Sequence, residues 1–112
     1  EKIMITNDQY TNPISTQDAA AAIAALITAK SSGIYHLGGP DNLSNYDFAL
    51  MVAQKYGFDA TLLQPQSTEQ FKAPALRPKQ CALNTQKLIK QTGFEPQSIN
   101  AYLDLWKTTL KM

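Results

Sequence analysis

Arg77 is the side chain in this sequence with the clearest chemical capacity. Pro74 and Pro78 flank it in a stiff loop, and a guanidinium presents a planar fork of donors that matches phosphate oxygens. Two other fates are open to it, a solvated surface position or an ion pair with Glu69. His36 is the only histidine, and strand alternation sets it on one face with Ile34, which predicts a hydrogen-bonded structural residue. A lone histidine and the single Cys81 do not make a metal site. Cys81 has no histidine beside it in sequence, so a half-buried, inert thiol is expected. Two patterns are missing. No Gly-x-x-Gly-x-x-Gly occurs, so no backbone turn is built to approach a pyrophosphate. None of Tyr10, Tyr35, Tyr46, Tyr56 or Tyr102 stands four residues before a lysine that could lower its phenol pKa for proton transfer. By itself, this polypeptide is expected to bind no dinucleotide and to reduce nothing.

The elements that would position these groups are legible in outline. Lys2–Thr6 reads as a short strand, Asn7-Asp8 as a turn, and Gln9–Pro13 as extended chain, since the residue before a proline avoids the helical basin. Ser15 or Thr16 can cap a helix to about Lys30, apolar on nearly every side and therefore expected between layers. Ile34–Leu37 reads as an interior parallel strand, followed by a Gly38-Gly39-Pro40-Asp41 turn. Ser44 caps the next helix, Asp47 is its acidic partner, and Gly57 ends it. Thr61–Leu63 is predicted as a short strand stopping at Pro65. Gln64–Gln80 follows as a long connection with at most one helical turn near Ser67–Phe71. Ala82-Leu83 reads as a strand remnant, and Asn84 as the cap of a short helix through Gln91, stopped at Gly93. Ser98 begins the last helix, with Ile99, Leu103, Trp106 and Leu110 as its core stripe and Asn100, Asp104, Lys107 and Lys111 opposite. The pattern is α/β, with few short strands and four main helices.

In order along the chain, several pieces resemble the C-terminal portion of the extended short-chain dehydrogenase/reductases, nearest the dTDP-4-dehydrorhamnose reductase branch. They are Asp8-Gln9-Tyr10-Thr11-Asn12-Pro13, Thr16–Ala20, Gly33–Leu37, Tyr46–Ala49, Ala75-Leu76-Arg77-Pro78 with Leu83-Asn84, and Gly93-Phe94 with Pro96. The resemblance spans nearly all of the chain and implies a Rossmann-type NAD(P)-binding parent. On this view residues 1–112 form a single substrate-binding portion, and the dinucleotide-binding half and catalytic dyad lie upstream. It implies that Arg77 helps hold a nucleotide-sugar diphosphate. It also implies that Gln9 and Tyr10 face the sugar pocket, although Thr11 stands where relatives often carry glycine. The implied reaction of the parent is NADPH- or NADH-dependent reduction of the C4 ketone of a dTDP-4-keto-6-deoxy sugar. A non-catalytic binding module of the same fold, part of a nucleotide-sugar epimerase or dehydratase, and an unrelated α/β domain are the alternatives.

Composition narrows the classes further. Of 112 residues, 44% are hydrophobic and 17% charged, which is ordinary globular material. The net charge of +1 is spread along the chain, which gives no basic stripe for nucleic acid. The longest apolar run, Ala19–Ile27, is too short to cross a bilayer. A single cysteine excludes an internal disulfide and fits a reducing cytoplasm. The chain starts without Met, inside a predicted strand, which is expected of part of a longer product. The exposed strand edge and the apolar helix together predict a homo-oligomer or pairing with the missing half.

Overall fold

The computed structural model describes residues 1–110, with the Leu110 side chain outside that description. The elements run β1 (Ile3–Thr6), β2 (Tyr10–Thr11), α1 (Thr16–Thr28), β3 (Leu43–Ser44), α2 (Asn45–Tyr56), β4 (Leu63–Gln66), α3 (Thr68–Phe71), α4 (Gln86–Thr92) and α5 (Ile99–Leu110). A single 3-10 turn, Ala60–Leu62, leads into β4. The strands form two small sheets. β1 and β4 pair in parallel, Ile3 opposite Leu63 and Thr6 opposite Gln66, while β2 and β3 pair antiparallel. An isolated bridge joins Tyr10 to Gln80.

The helix starts follow from side-chain caps. The Ser15 hydroxyl accepts from the Asp18 amide, and the Ser44 hydroxyl accepts from the Asp47 amide, each relieving an orphan donor in the first turn. Gly57 closes α2 at φ 73°, a left-handed geometry that glycine adopts without a Cβ penalty. The first amide of α5, Ile99 N–H, is taken by the Asp41 carboxylate at 2.8 Å, so the turn after Gly39 fixes where the last helix begins. The Asp18 carboxylate accepts from Gln97 N–H in the same way. Lys55 on α2 pairs with Asp104 on α5, and Lys107 donates to the Lys55 carbonyl.

The core is thin. Its buried apolar members are Ala22, Ala53, Leu88, Ile99, Tyr102 and Leu103, set where α1 meets α4 and α2 meets α5. The molecule is a slab of 49 × 38 × 17 Å.

Several expectations change. Ile34–Leu37 is not a strand: no described strand lies beside it, so its backbone has no ladder, and Ile34 is 75% exposed. Instead the Lys87 ammonium caps the Ile34 carbonyl at 2.9 Å and sits over the Tyr35 ring at 4.4 Å. His36 on this segment is exposed rather than a bonded structural residue. The predicted strand at Thr61 begins at Leu63 and runs on through Pro65, opposite Ile5. A proline is tolerated there because β4 belongs to a two-stranded sheet and is an edge strand. Ala82-Leu83 is not a strand, since the Leu83 amide is taken by the Asn12 side chain. Thr85 stands at the cap position of α4 but spends its hydroxyl on Gly38, and the side chain that takes the first helical amide, Gln86 N–H, is Asn84 as expected. α1 is not enclosed: Ala22 alone is buried, whereas Ile23 and Ile27 are exposed. Trp106 is half-exposed, leaning on Tyr102, which takes the core position instead. Cys81 is exposed. Lys111, expected on the polar face of α5, lies outside the described residues, as does the Leu110 side chain. Among the described residues no helix is long and apolar enough to cross a membrane.

Candidate functional site

Three segments far apart in sequence meet at the carboxyl end of β1. The Thr6 hydroxyl, buried at that end, accepts from the Asn45 amide side chain at 2.8 Å. Asn45 N–H in turn donates to the Gln9 carbonyl. This ties the Asp8-Gln9 turn to the start of α2. On the other side α3 closes in. Ser67 and Gln70 form a reciprocal capping box, the Ser67 hydroxyl accepting from Gln70 N–H and the Gln70 side-chain Oε1 accepting from Ser67 N–H.

Asp8 fastens the two sides together. Its carboxylate accepts both the amide and the hydroxyl of Thr68. Lys79 lies 3.6 Å from the same carboxylate and 2.9 Å from Glu69. The Thr68 hydroxyl, its amide and the Lys79 charge hold the Asp8 carboxyl below the ordinary carboxylate range, against a smaller opposing effect of burial. Bonding to Lys79 lowers Glu69 likewise, and Glu69 raises Lys79.

Between these segments is a cleft of about 530 Å³ lined by Thr6, Gln9, Asn45, Thr68, Phe71 and Arg77, with Met4, Ile5, Lys72, Ala73 and Pro74 completing it. Arg77 and Gln9, singled out from sequence, thus share one cavity. The Gln9 amide also reaches the Thr68 hydroxyl at 3.4 Å. Tyr10 is placed differently. It sits in β2 and does not line the cleft, its amide donating to the Lys79 carbonyl and its carbonyl accepting from Cys81 N–H. Arg77 does not pair with Glu69, because Lys79 occupies that carboxylate. Asp8, Thr68, Phe71 and Lys72 were not singled out from sequence. The Ser67-Thr68-Glu69-Gln70 spacing is a capping-box signature and was the available signal for α3.

A second polar cluster gathers around Gly38 and Gly39. The Thr85 hydroxyl accepts from Gly38 N–H at 2.8 Å and donates to the Gly38 carbonyl at 3.1 Å. The Asn12 amide donates to the carbonyls of Gly39 and Leu83 and accepts from Leu83 N–H. Beside the glycine pair lies a cavity of about 460 Å³ whose lining includes Asn12, Thr85, Gln86 and the Glu95 side chain. A Cβ on Gly39 would lie 2.1 Å from the Pro13 carbonyl oxygen, and one on Gly38 would strike Asn12. The chain's only adjacent glycines thus pack closely on Asn12 and Pro13, and the cavity beside them, lined by one carboxylate and no cation, does not fit a dinucleotide pyrophosphate. Among the described residues no group of His, Cys, Asp and Glu could hold a metal.

Residues 1–111 match the family model described as RmlD substrate binding domain. The chain belongs to this family. Its α/β architecture is that of the C-terminal portion of Rossmann-type short-chain dehydrogenase/reductases. A dTDP-4-dehydrorhamnose reductase of Clostridium acetobutylicum superimposes with a TM-score of 0.86 at 28% identity, over 99% of this chain and 39% of that one. The dTDP-4-dehydrorhamnose reductase of Bacillus anthracis, solved in complex with NADP, gives 0.85 at 26% identity, over 97% and 38%. In sequence, a dTDP-4-keto-6-deoxy-D-glucose reductase of Streptomyces niveus is 29% identical over 83 residues, 74% of this chain and 29% of that protein. This RmlD substrate binding domain thus spans about a third of the relatives it matches.

Proposed function

We propose that this domain supplies the sugar-nucleotide site of an NADPH- or NADH-dependent reductase acting on the C4 ketone of a dTDP-4-keto-6-deoxy sugar. The observation that carries the reading is the cleft, in which Arg77, Gln9, Asn45 and Thr68 converge on one cavity with no lining carboxylate. Such a cavity suits a ligand with an anionic linker and a hydroxyl-rich ring: the guanidinium for phosphate oxygens, the amides and hydroxyl for the sugar. Tyr10, next to Gln9 in sequence but outside the cleft lining, is a further proposed sugar contact that rests on the family resemblance alone. The reductant belongs to the remainder of the protein, where a bound nicotinamide would supply hydride. The work of these residues is to bind and orient the ketone. The exposed apolar side chains Ile23, Ile27 and Ile34 are the surface on which we place the dinucleotide-binding part or a second copy, giving a homo-oligomeric enzyme of the cytoplasm.

Arg77→Ala in the full-length protein tests the reading. Affinity for the dTDP-sugar should fall by about 1.5–3 kcal/mol, the range for a hydrogen bond to a charged group, with nicotinamide affinity unchanged in parallel calorimetric titrations. An equal loss for both ligands would assign Arg77 to the fold instead.

A further inference from the structure

The cleft holds a second cation that the family resemblance did not point to. Lys72 lines it together with Arg77, and neither is within ion-pair distance of a carboxylate among the described residues. The third cation of this loop is treated oppositely. Lys79 is held by both Asp8 and Glu69, the two acids nearest the site, so neither acid is left to neutralise the cleft. The wall thus contains two positive charges and no negative one. Lys72 also occupies its place at a backbone cost. It closes α3 at φ 51°, ψ 42°, a left-handed geometry that glycine or asparagine would take more easily.

We infer that Lys72 is a second phosphate-binding residue, gripping the diphosphate of the ligand from the side opposite the sugar-facing Gln9, with Arg77 as its partner. The inference deepens the sugar-nucleotide reading and rests on it for the identity of the ligand, but the two-cation site is testable without a nucleotide. A diphosphate carries two or more negative charges over a few ångströms and is matched by two cations on a wall free of carboxylates. The flexible ammonium of Lys72 supplies a point charge where Arg77 supplies the planar fork. Glu69 and Asp8 take part by their absence from the wall, because Lys79 holds them aside.

The experiment uses the full-length protein, titrated at low salt with inorganic pyrophosphate, dTDP and thymidine, as wild type, Lys72→Gln and the distant surface variant Lys90→Gln. Lys72→Gln should weaken pyrophosphate and dTDP by about fivefold to tenfold, as expected for loss of one charge-assisted contact, and leave thymidine unchanged. The salt dependence of dTDP binding should become shallower in the same variant. Lys90→Gln should match wild type. Equal pyrophosphate and dTDP affinities in Lys72→Gln and wild type would overturn the assignment, as would wild-type protein that binds no pyrophosphate. A loss confined to pyrophosphate, with dTDP binding elsewhere and not competing, would uphold the anion site and overturn the sugar-nucleotide reading. Glu69→Gln provides a second variant that leaves the cleft wall intact. It removes one negative charge near the site while Asp8 still pairs with Lys79, and it should tighten, not weaken, pyrophosphate binding; weakening there would also overturn the assignment.

Discussion

Gly39→Ala should be among the most damaging single-methyl additions in this domain. Gly39 is not in a left-handed conformation, so the cost is purely one of space. Its new methyl carbon would sit 2.1 Å from the Pro13 carbonyl oxygen, about 1 Å inside the nearest approach that packed atoms tolerate. Relief requires the Asn12-Pro13 backbone to move, and two bonds cross that contact: Gly39 N–H to the Asn12 carbonyl at 3.0 Å and the Asn12 amide to the Gly39 carbonyl at 3.1 Å. Overpacking of this kind costs ~2 kcal/mol and each lost bond ~1 kcal/mol, so about 4 kcal/mol in total is expected. Gly57→Ala is the matched control. Nothing lies within 4 Å of its added Cβ, and only the left-handed φ of 73° opposes it, at a cost of about 1 kcal/mol. Urea unfolding of the two variants beside wild type, with equal m-values, reads the difference directly. If Gly39→Ala were no worse than Gly57→Ala, the close approach of the glycine turn to Pro13 would be wrong.

Thr85→Val keeps the shape of the side chain but strips both bonds to buried Gly38. It should destabilise by ~2–4 kcal/mol in the same assay, whereas Thr85→Ser should lose far less. Asp8 has a folded-state pKa below its unfolded value, so its contribution is fully present above the ordinary carboxylate pKa and is lost as pH falls through the lower folded value. Melting temperatures of wild type should therefore drop more steeply between about pH 5 and about pH 2 than those of Asp8→Asn, and parallel curves would refute this. The isolated chain should self-associate through its bare apolar surface. Ile27→Glu combined with Ile34→Glu should return it to monomer mass in sedimentation, and an unaltered profile would mean that the contact lies elsewhere.

What the sequence made legible was local. Ser15, Ser44 and Gly57 act within three or four residues of the backbone groups they satisfy, so caps and helix limits follow from spacing alone. Ile34–Leu37 is not a strand for a non-local reason: its glycine-bounded apolar pattern fits one, but a strand needs a strand neighbour, and among the described residues what bonds to it is the Lys87 side chain of α4. Leu63–Gln66 was cut short because Pro65 reads as a breaker, and only the pairing shows that β4 is an edge where a proline is allowed. In the cleft, Arg77 stood out by its chemistry. Asp8 and Thr68 did not, because their link joins positions 60 residues apart with no periodicity to reveal it. Lys79 was overlooked for the same reason: its pairing with Glu69 decides the fate of Arg77, yet the two side chains are neighbours only after the loop has folded back.

The parallel pairing of β1 with β4 also sets an order of assembly. Its two strands, like Asp8 and Thr68, are separated by 60 residues, and everything between them must be gathered before the ladder can close. Closing so long a loop costs entropy before any pairing rewards it, whereas α1 and α2 need only their own caps and near neighbours. During synthesis, then, α1 and α2 can form while Gln9 waits in an open turn and Arg77 has not yet been made. The binding cleft is a late product of folding, created in the step that zips β4 onto β1. A ligand that spanned Gln9 and Arg77 would add its binding energy to that last step, so a chain folding in its presence would be held closed from the moment the cleft exists.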